Sequence, residues 1–223
     1  MADSEIVIRE VTKGVWTFSR PFTLFNRLAV GGRSTAIKLE NGKVWILAST
    51  PLTEQTREKL QELGDVRYIV AGNHFHNIFL KDYKIAYPSA IVIGPEELNE
   101  KKKHEGWQLD SIFSVVEPRP KLDFEDEIEH CFFSGYKNKD TAYYHRASKT
   151  VVAADLLFNL PSTEQYALAE SPAPYFPFIS SFSPYGWIMQ VFVWSKEVDK
   201  AAMQRDVQRV ASWDFEKFIP CHG

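Results

Sequence analysis

Two histidines two residues apart are the first candidates for chemistry: His74 and His76 in Gly72-Asn73-His74-Phe75-His76-Asn77. On a strand they share a face; in a loop at a strand's end they can converge on one ion. Neutral imidazoles suit zinc and other first-row metals. The pair alone is a weak signal, met equally by two polar loop histidines. Asp155 follows the apolar run Thr150-Val151-Val152-Ala153-Ala154, where an unpaired carboxylate is costly. Metal ligation relieves that cost, and so does capping a following helix. His222, in Pro220-Cys221-His222-Gly223, lies beyond the last strand-like segment. His145 ends the segment Thr141-Ala142-Tyr143-Tyr144-His145. It is a ligand, a group that orients one, or a strand histidine bonded within the core. His104 and His130 sit among charged residues and read as surface positions.

The elements that must position these residues alternate between strand and helix. Ile6-Val7-Ile8, Val15 to Phe18 and Ser34 to Leu39 read as strands. Asn41-Gly42 supplies a two-residue hairpin turn into Lys43 to Ala48. Thr53 is a plausible N-cap of a helix carrying Leu60 and Leu63 and ending at Gly64. The buried strand Val66 to Ala71 follows, so the connection is a parallel crossover. His74 and His76 then fall beyond that strand's carboxyl end, where open α/β sheets bind ligands. Ile91-Val92-Ile93 is a further strand, and Gly94-Pro95-Glu96-Glu97 opens a helix whose Asn99 to Glu105 stretch, with Lys101-Lys102-Lys103, reads as solvated. Pro118-Arg119-Pro120 reads as a connector.

A second strand-rich block holds Ile128 to Phe133, Thr141 to His145 and Thr150 to Ala154, with a turn at Ser148-Lys149. Ser171 to Pro184 contains four prolines and three phenylalanines. Its Tyr175-Phe176-Pro177-Phe178 either walls a substrate pocket or covers the core. Trp187 to Trp194 and Lys196 to Trp213 read as helices. The two strand-rich halves fit one layered sandwich.

Composition narrows the function classes. The 223 residues include 16 Phe, 9 Tyr and 6 Trp, ample for a core. The formal charge of −3 argues against nucleic acid or an anionic membrane as partner. Two cysteines, Cys131 and Cys221, form no disulfide framework, which favours a reducing compartment. The N-terminal MADSEIVIRE lacks the basic and apolar regions of a signal peptide, and Ile188 to Trp194 is far short of a membrane span. The expectation is a soluble, cytoplasmic protein with a small-molecule substrate.

The order of these motifs resembles the metallo-β-lactamase superfamily from about Gly14 to Gly223. The resemblance implies an α/β chain folded as a four-layer αββα sandwich, with residues 1–223 as one domain. The family's H-x-H-x-D-H motif stands here as His74-Phe75-His76-Asn77-Ile78-Phe79, so its last two ligands are replaced by Ile78 and Phe79. Its Gly-His-Thr segment falls at Gly135-Tyr136-Lys137. Its bridging aspartate matches Asp155 and its closing histidine His222. The aspartate common after the early hairpin strand is absent from Leu47-Ala48-Ser49-Thr50. The family pattern thus implies His74, His76, Asp155 and His222 as ligands of a divalent metal, zinc first, with one ion favoured over two. His145 would replace the histidine lost at Tyr136 or orient a ligand. Asp155 would hold the metal or take a proton, and Tyr136 would donate to a developing oxyanion. The implied activity is hydrolysis of a small ester, thioester, lactone or amide by a metal-bound hydroxide. The alternative is a metal-free binding protein that kept the sandwich and lost the catalysis.

Overall fold

Alternation along the strands builds the layers. The computed structural model describes residues 6–25, 27–114, 120–174 and 177–223. The first sheet has seven strands: β1 (Val7–Thr12), β2 (Val15–Arg20), β5 (Gly32–Lys38), β6 (Lys43–Leu47), β7 (Asp65–Val70), β8 (Ile91–Pro95) and β9 (Ser111–Phe113), side by side in that order. Between β2 and β5 the short strands β3 (Thr23–Leu24) and β4 (Leu28–Ala29) form a separate hairpin. Strands β1, β2, β5 and β6 pair antiparallel, whereas β6 to β9 run parallel. Parallel neighbours need crossovers. Helices α1 (Glu54–Leu63), α2 (Leu80–Ala86) and α3 (Glu96–His104) lie in three successive connections. The second sheet is β10 (Ile128–Phe132), β11 (Thr141–His145), β12 (Thr150–Ala153) and β13 (Lys217–Pro220). Its one parallel pair, β12 and β13, is bridged by α4 (Trp187–Ser195) and α5 (Lys200–Ala211).

The two-residue period assigns each side chain to a layer. In β6, Trp45 and Leu47 point between the sheets, where they join Tyr143 of β11 and Val152 of β12 in one buried cluster. Val44 and Ile46 point the other way, against Leu60 of α1, Tyr83 of α2 and Leu98 of α3. Across the second sheet, Tyr144 and Val151 face Met203 of α5. The result is helix, sheet, sheet, helix, the αββα sandwich expected.

Local chemistry sets most boundaries where the sequence places them. The Thr53 hydroxyl accepts from the Thr56 N–H at 3.2 Å, and Gly64 closes α1 by donating to the Leu60 carbonyl. Two expectations change. The helix expected over 196–213 begins only at Lys200, because Glu197 bridges to Tyr136 and Asp199 caps α5 by accepting from Ala202 N at 3.0 Å. The stretch 99–105 is not wholly solvated: Asn99 is buried and accepts from Leu109 N, and the ammonium of buried Lys102 lies over the Trp107 ring. Of the expected connector 118–120, Pro118 and Arg119 lie outside the described residues, as do Tyr175 and Phe176.

Candidate metal centre

Four strand ends meet at one rim of the sandwich. Beyond the carboxyl ends of the parallel strands β6 and β7 come Ser49 and His76; beyond those of β12 and β13 come Asp155 and His222. The sheets close tightly here: a Cβ added to Gly72 would lie 2.6 Å from the Ala154 Cβ. Only glycine lets the loop after β7 approach Asp155 so closely.

Among the described residues, His76, Asp155 and His222 form a group whose ligand atoms all lie within 4.8 Å of one another. Nε2 of His76 is 3.1 Å and Nε2 of His222 is 3.3 Å from the same Asp155 oxygen, Oδ1. The other oxygen, Oδ2, accepts from the side-chain amides of Asn73 at 2.7 Å and Asn138 at 3.0 Å. The loop is wound around Asn73, whose Oδ1 accepts from the main-chain N–H groups of Phe75 and His76. That turn sends Phe75 to solvent and His76 to the rim. Asp140 braces the other side, accepting from Asp155 N at 2.7 Å and Asn73 Nδ2 at 3.0 Å.

The electrostatics follow from burying two carboxylates beside two imidazoles. Burial pushes Asp155 up, but the imidazoles of His76 and His222 outweigh it and hold the carboxyl well below its ordinary range. Burial and the Asp155 charge push Asp140 up to about 7. Burial lowers His76, yet the Asp155 charge, aided by Cys221, raises it well above 6.5. Behind the ring, Nδ1 of His76 is 3.0 Å from Ser49 Oγ, which is 3.3 Å from Cys221 Sγ.

The His222 ring is the most constrained. Its Nδ1 is 2.7 Å from the Gly31 carbonyl oxygen. A carbonyl only accepts, so Nδ1 carries the proton. A neutral His222 then turns the Nε2 lone pair toward Asp155 Oδ1, acceptor against acceptor. Such a contact requires a positive charge, either a proton on Nε2 or a cation between the two atoms. Two imidazole nitrogens and a carboxylate oxygen are a suitable donor set for one divalent first-row ion with an open position.

The remaining candidates lie elsewhere. His74 is outside the group; its ring packs on Phe75 with centroids 4.1 Å apart, and its buried Nδ1 has no hydrogen-bond partner among the described residues. Burial lowers its pKa. His145 cannot replace the missing histidine. It pairs with Thr150, five residues before Asp155, which at about 3.3 Å per residue puts it roughly 16 Å from the rim. Its Nδ1 is bonded to Ser148 Oγ at 2.7 Å, a strand histidine satisfied locally. Tyr136 does not face a substrate either. It is fully buried, its hydroxyl donates to the Asp155 main-chain carbonyl at 3.3 Å, and burial drives its pKa up. It holds Asp155 in place. Ile78 is exposed and Phe79 packs against the helix-side core, so neither offers a donor.

Asn73, Asn138, Asp140 and Ser49 were not among the sequence candidates. Their signal was present: polar residues with short side chains at the ends of strands otherwise apolar. Arg33 was also missed. Its buried guanidinium donates to the carbonyls of Pro220 and Gly223, on either side of His222, and to Ser19 and Glu164.

Comparison with solved structures returns the same architecture. The metallo-β-lactamase TMB-1 superposes with a TM-score of 0.62 at 16% identity, covering 98% of this chain and 89% of that one. The metallo-β-lactamase from Hirschia baltica gives 0.63 at 11% identity, with 98% and 90% covered. FIM-1 from Pseudomonas aeruginosa, in its mono-zinc form, gives 0.58 at 12%, with 98% and 88% covered. No curated protein matches the chain. The family described as a domain of unknown function, DUF4336, matches residues 12–181. The chain belongs to that family and carries it on a divergent metallo-β-lactamase fold.

Proposed function

We propose that this protein is a metal-dependent hydrolase in which His76, Asp155 and His222 hold one divalent ion, zinc first. The observation that carries the reading is the fixed His222 tautomer, whose Nε2 faces Asp155 Oδ1 at 3.3 Å and requires a positive charge there. A divalent ion held by these residues would supply a Lewis acid able to polarise a carbonyl and acidify a water. Asn73 and Asn138 orient Asp155 by occupying its Oδ2. Ser49 fixes the His76 ring through Nδ1, leaving Nε2 directed at the rim. Phe158 meets the His222 ring at 4.8 Å and Phe22 at 6.4 Å, so the wall beside the site is aromatic. That wall suits the uncharged body of a small ester, thioester, lactone or amide. The site draws on residues from Ser49 to His222, which supports residues 1–223 acting as one unit.

A second reading meets the same contacts with protons. Without metal, protons on the imidazoles would satisfy Oδ1 while the two amides satisfy Oδ2, giving a closed network and a binding protein without hydrolysis. Metal content decides between them. Protein purified without added metal should carry close to one ion per chain, lost in His222→Ala and kept in His145→Ala. Zinc or manganese should raise turnover of ester or lactone substrates. Protein that stays metal-free and gains no turnover on adding either ion overturns the hydrolase and leaves the binding protein.

A further inference from the structure

From Ser171 to Ser195 the chain contains no Asp, Glu, Lys, Arg or His. The segment ends in α4, Trp-Ile-Met-Gln-Val-Phe-Val-Trp-Ser, of which only Met189 is buried. Its inner side is anchored: Phe192 packs on Phe158 and Phe182, with Met189 and Val193 in the same cluster. Its outer side carries Trp187, Val191 and Trp194, 67%, 51% and 68% exposed. Positions i, i+4 and i+7 form one stripe along a helix. Just before α4, Tyr185 is 94% exposed. Here the 3-10 turn Ile179–Phe182 and α4 meet so closely that a Cβ on Gly186 would lie 1.9 Å from the Ser181 carbonyl oxygen. The display is therefore built into a packed junction.

The β3–β4 hairpin joins this end of the molecule, since Leu24 and Leu28 pack in the cluster that holds Phe192. Its Phe25 is 92% exposed. We propose that the outer face of α4, with Tyr185 and Phe25 beside it, seats the protein on an uncharged lipid surface. Three observations favour lipid over a second copy of the chain. Tryptophan and tyrosine, apolar bodies with one polar tip, dominate the face, as at bilayer interfaces. Tyr185 and Phe25 protrude almost fully, and Trp187 and Trp194 mostly, from separate segments. A soft interface accepts such tips without matching pockets, whereas a two-fold contact must be self-complementary. Residues 171–195, which supply most of the face, carry no charge, while protein interfaces are ringed by a polar rim. The near-neutral balance that argues against an anionic membrane leaves a zwitterionic one open. Aromatic rings run from this face to His222 through Phe192 and Phe158, so the site would open beside the lipid.

The test uses the full-length protein and vesicles of phosphatidylcholine alone. It should co-sediment with them equally at low and high salt, because no charge pairing is involved, and brominated lipid should quench its tryptophan fluorescence. Trp187→Ser with Trp194→Ser should weaken partitioning by roughly tenfold or more and abolish the quenching. Should that double variant lose its circular dichroism, Val191→Lys, a single exposed change, makes the same comparison. Failure to bind, or binding that needs anionic lipid and fades with salt, overturns the proposal. So does a dimer in sedimentation equilibrium that the variants dissociate, which would assign the face to a second copy. Vesicle binding does not depend on metal, so this inference and the hydrolase reading fail separately.

Discussion

At the scale of single residues, the site is held together by side-chain amides as much as by imidazoles. Asn73 serves four partners at once: the carboxylates of Asp140 and Asp155 through Nδ2, and the N–H groups of Phe75 and His76 through Oδ1. Asn73→Ala should therefore lower stability by about 2–4 kcal/mol, as buried acceptors and donors lose their partners, and should loosen the His76 loop. Denaturant melts of wild type and variant check the first effect, and metal affinity the second. His74→Ala should leave metal content unchanged, which elemental analysis reads directly. The sequence offers His76, Asp155 and His222 as candidates because each follows a strand, and parallel strands deliver their carboxyl ends to one rim, where the three side chains meet. His74 enters the ligand set from the family pattern, and the turn around Asn73 leaves its ring outside that group.

At the scale of elements, the last strand is fixed by Arg33 on β5. Its guanidinium is buried and bonded to the carbonyls of Pro220 and Gly223 and to Glu164. Arg33→Met leaves those acceptors unpaired and should cost about 3–5 kcal/mol. Arg33→Lys should recover only part of this, since an ammonium cannot span the same fork. Because the two carbonyls flank His222, both variants should also weaken metal binding, measurable by competition with a chelating dye. On β11, His145 gives a pH signature remote from the rim. Burial lowers its folded pKa below 6.5. Below 6.5 the unfolded chain takes up a proton more readily than the folded one, so His145 makes stability fall as pH drops from 6.5 through its folded pKa. His145→Gln should flatten that part of the stability–pH curve. An unchanged slope would remove His145 as its cause. Sequence reading found α1 and β6 to β8 because caps, turns and apolar runs are local signals. It overran the start of α5 because residues 196–199 are drawn out of the helix by contacts with Gly135 and Tyr136, distant in sequence.

At the scale of the whole molecule, a layered sandwich was legible in the order of strands and helices, and the resemblance of that order to the metallo-β-lactamase superfamily implied its four layers. The aromatic partners across the layers were not legible, since pairing between sheets leaves no local trace. Trp45 of β6 meets Tyr143 of β11 edge-on with ring centroids 4.9 Å apart, at the centre of the cluster between the sheets. The same indole carries a buried Nε1 with no hydrogen-bond partner among the described residues. Two opposed effects thus sit in one side chain. Its volume joins the sheets, while its N–H is desolvated without return. Trp45→Ala removes the volume and should destabilise by about 3–5 kcal/mol. Trp45→Phe keeps most of the packing and deletes the unpaired donor, so cavity and relieved desolvation should nearly cancel, leaving a change within about 1.5 kcal/mol. Denaturation midpoints of the two variants should therefore differ widely. Near-equal losses would mean that the Trp45 N–H has a partner in solution, and that the layers are joined by a polar contact as well as by packing.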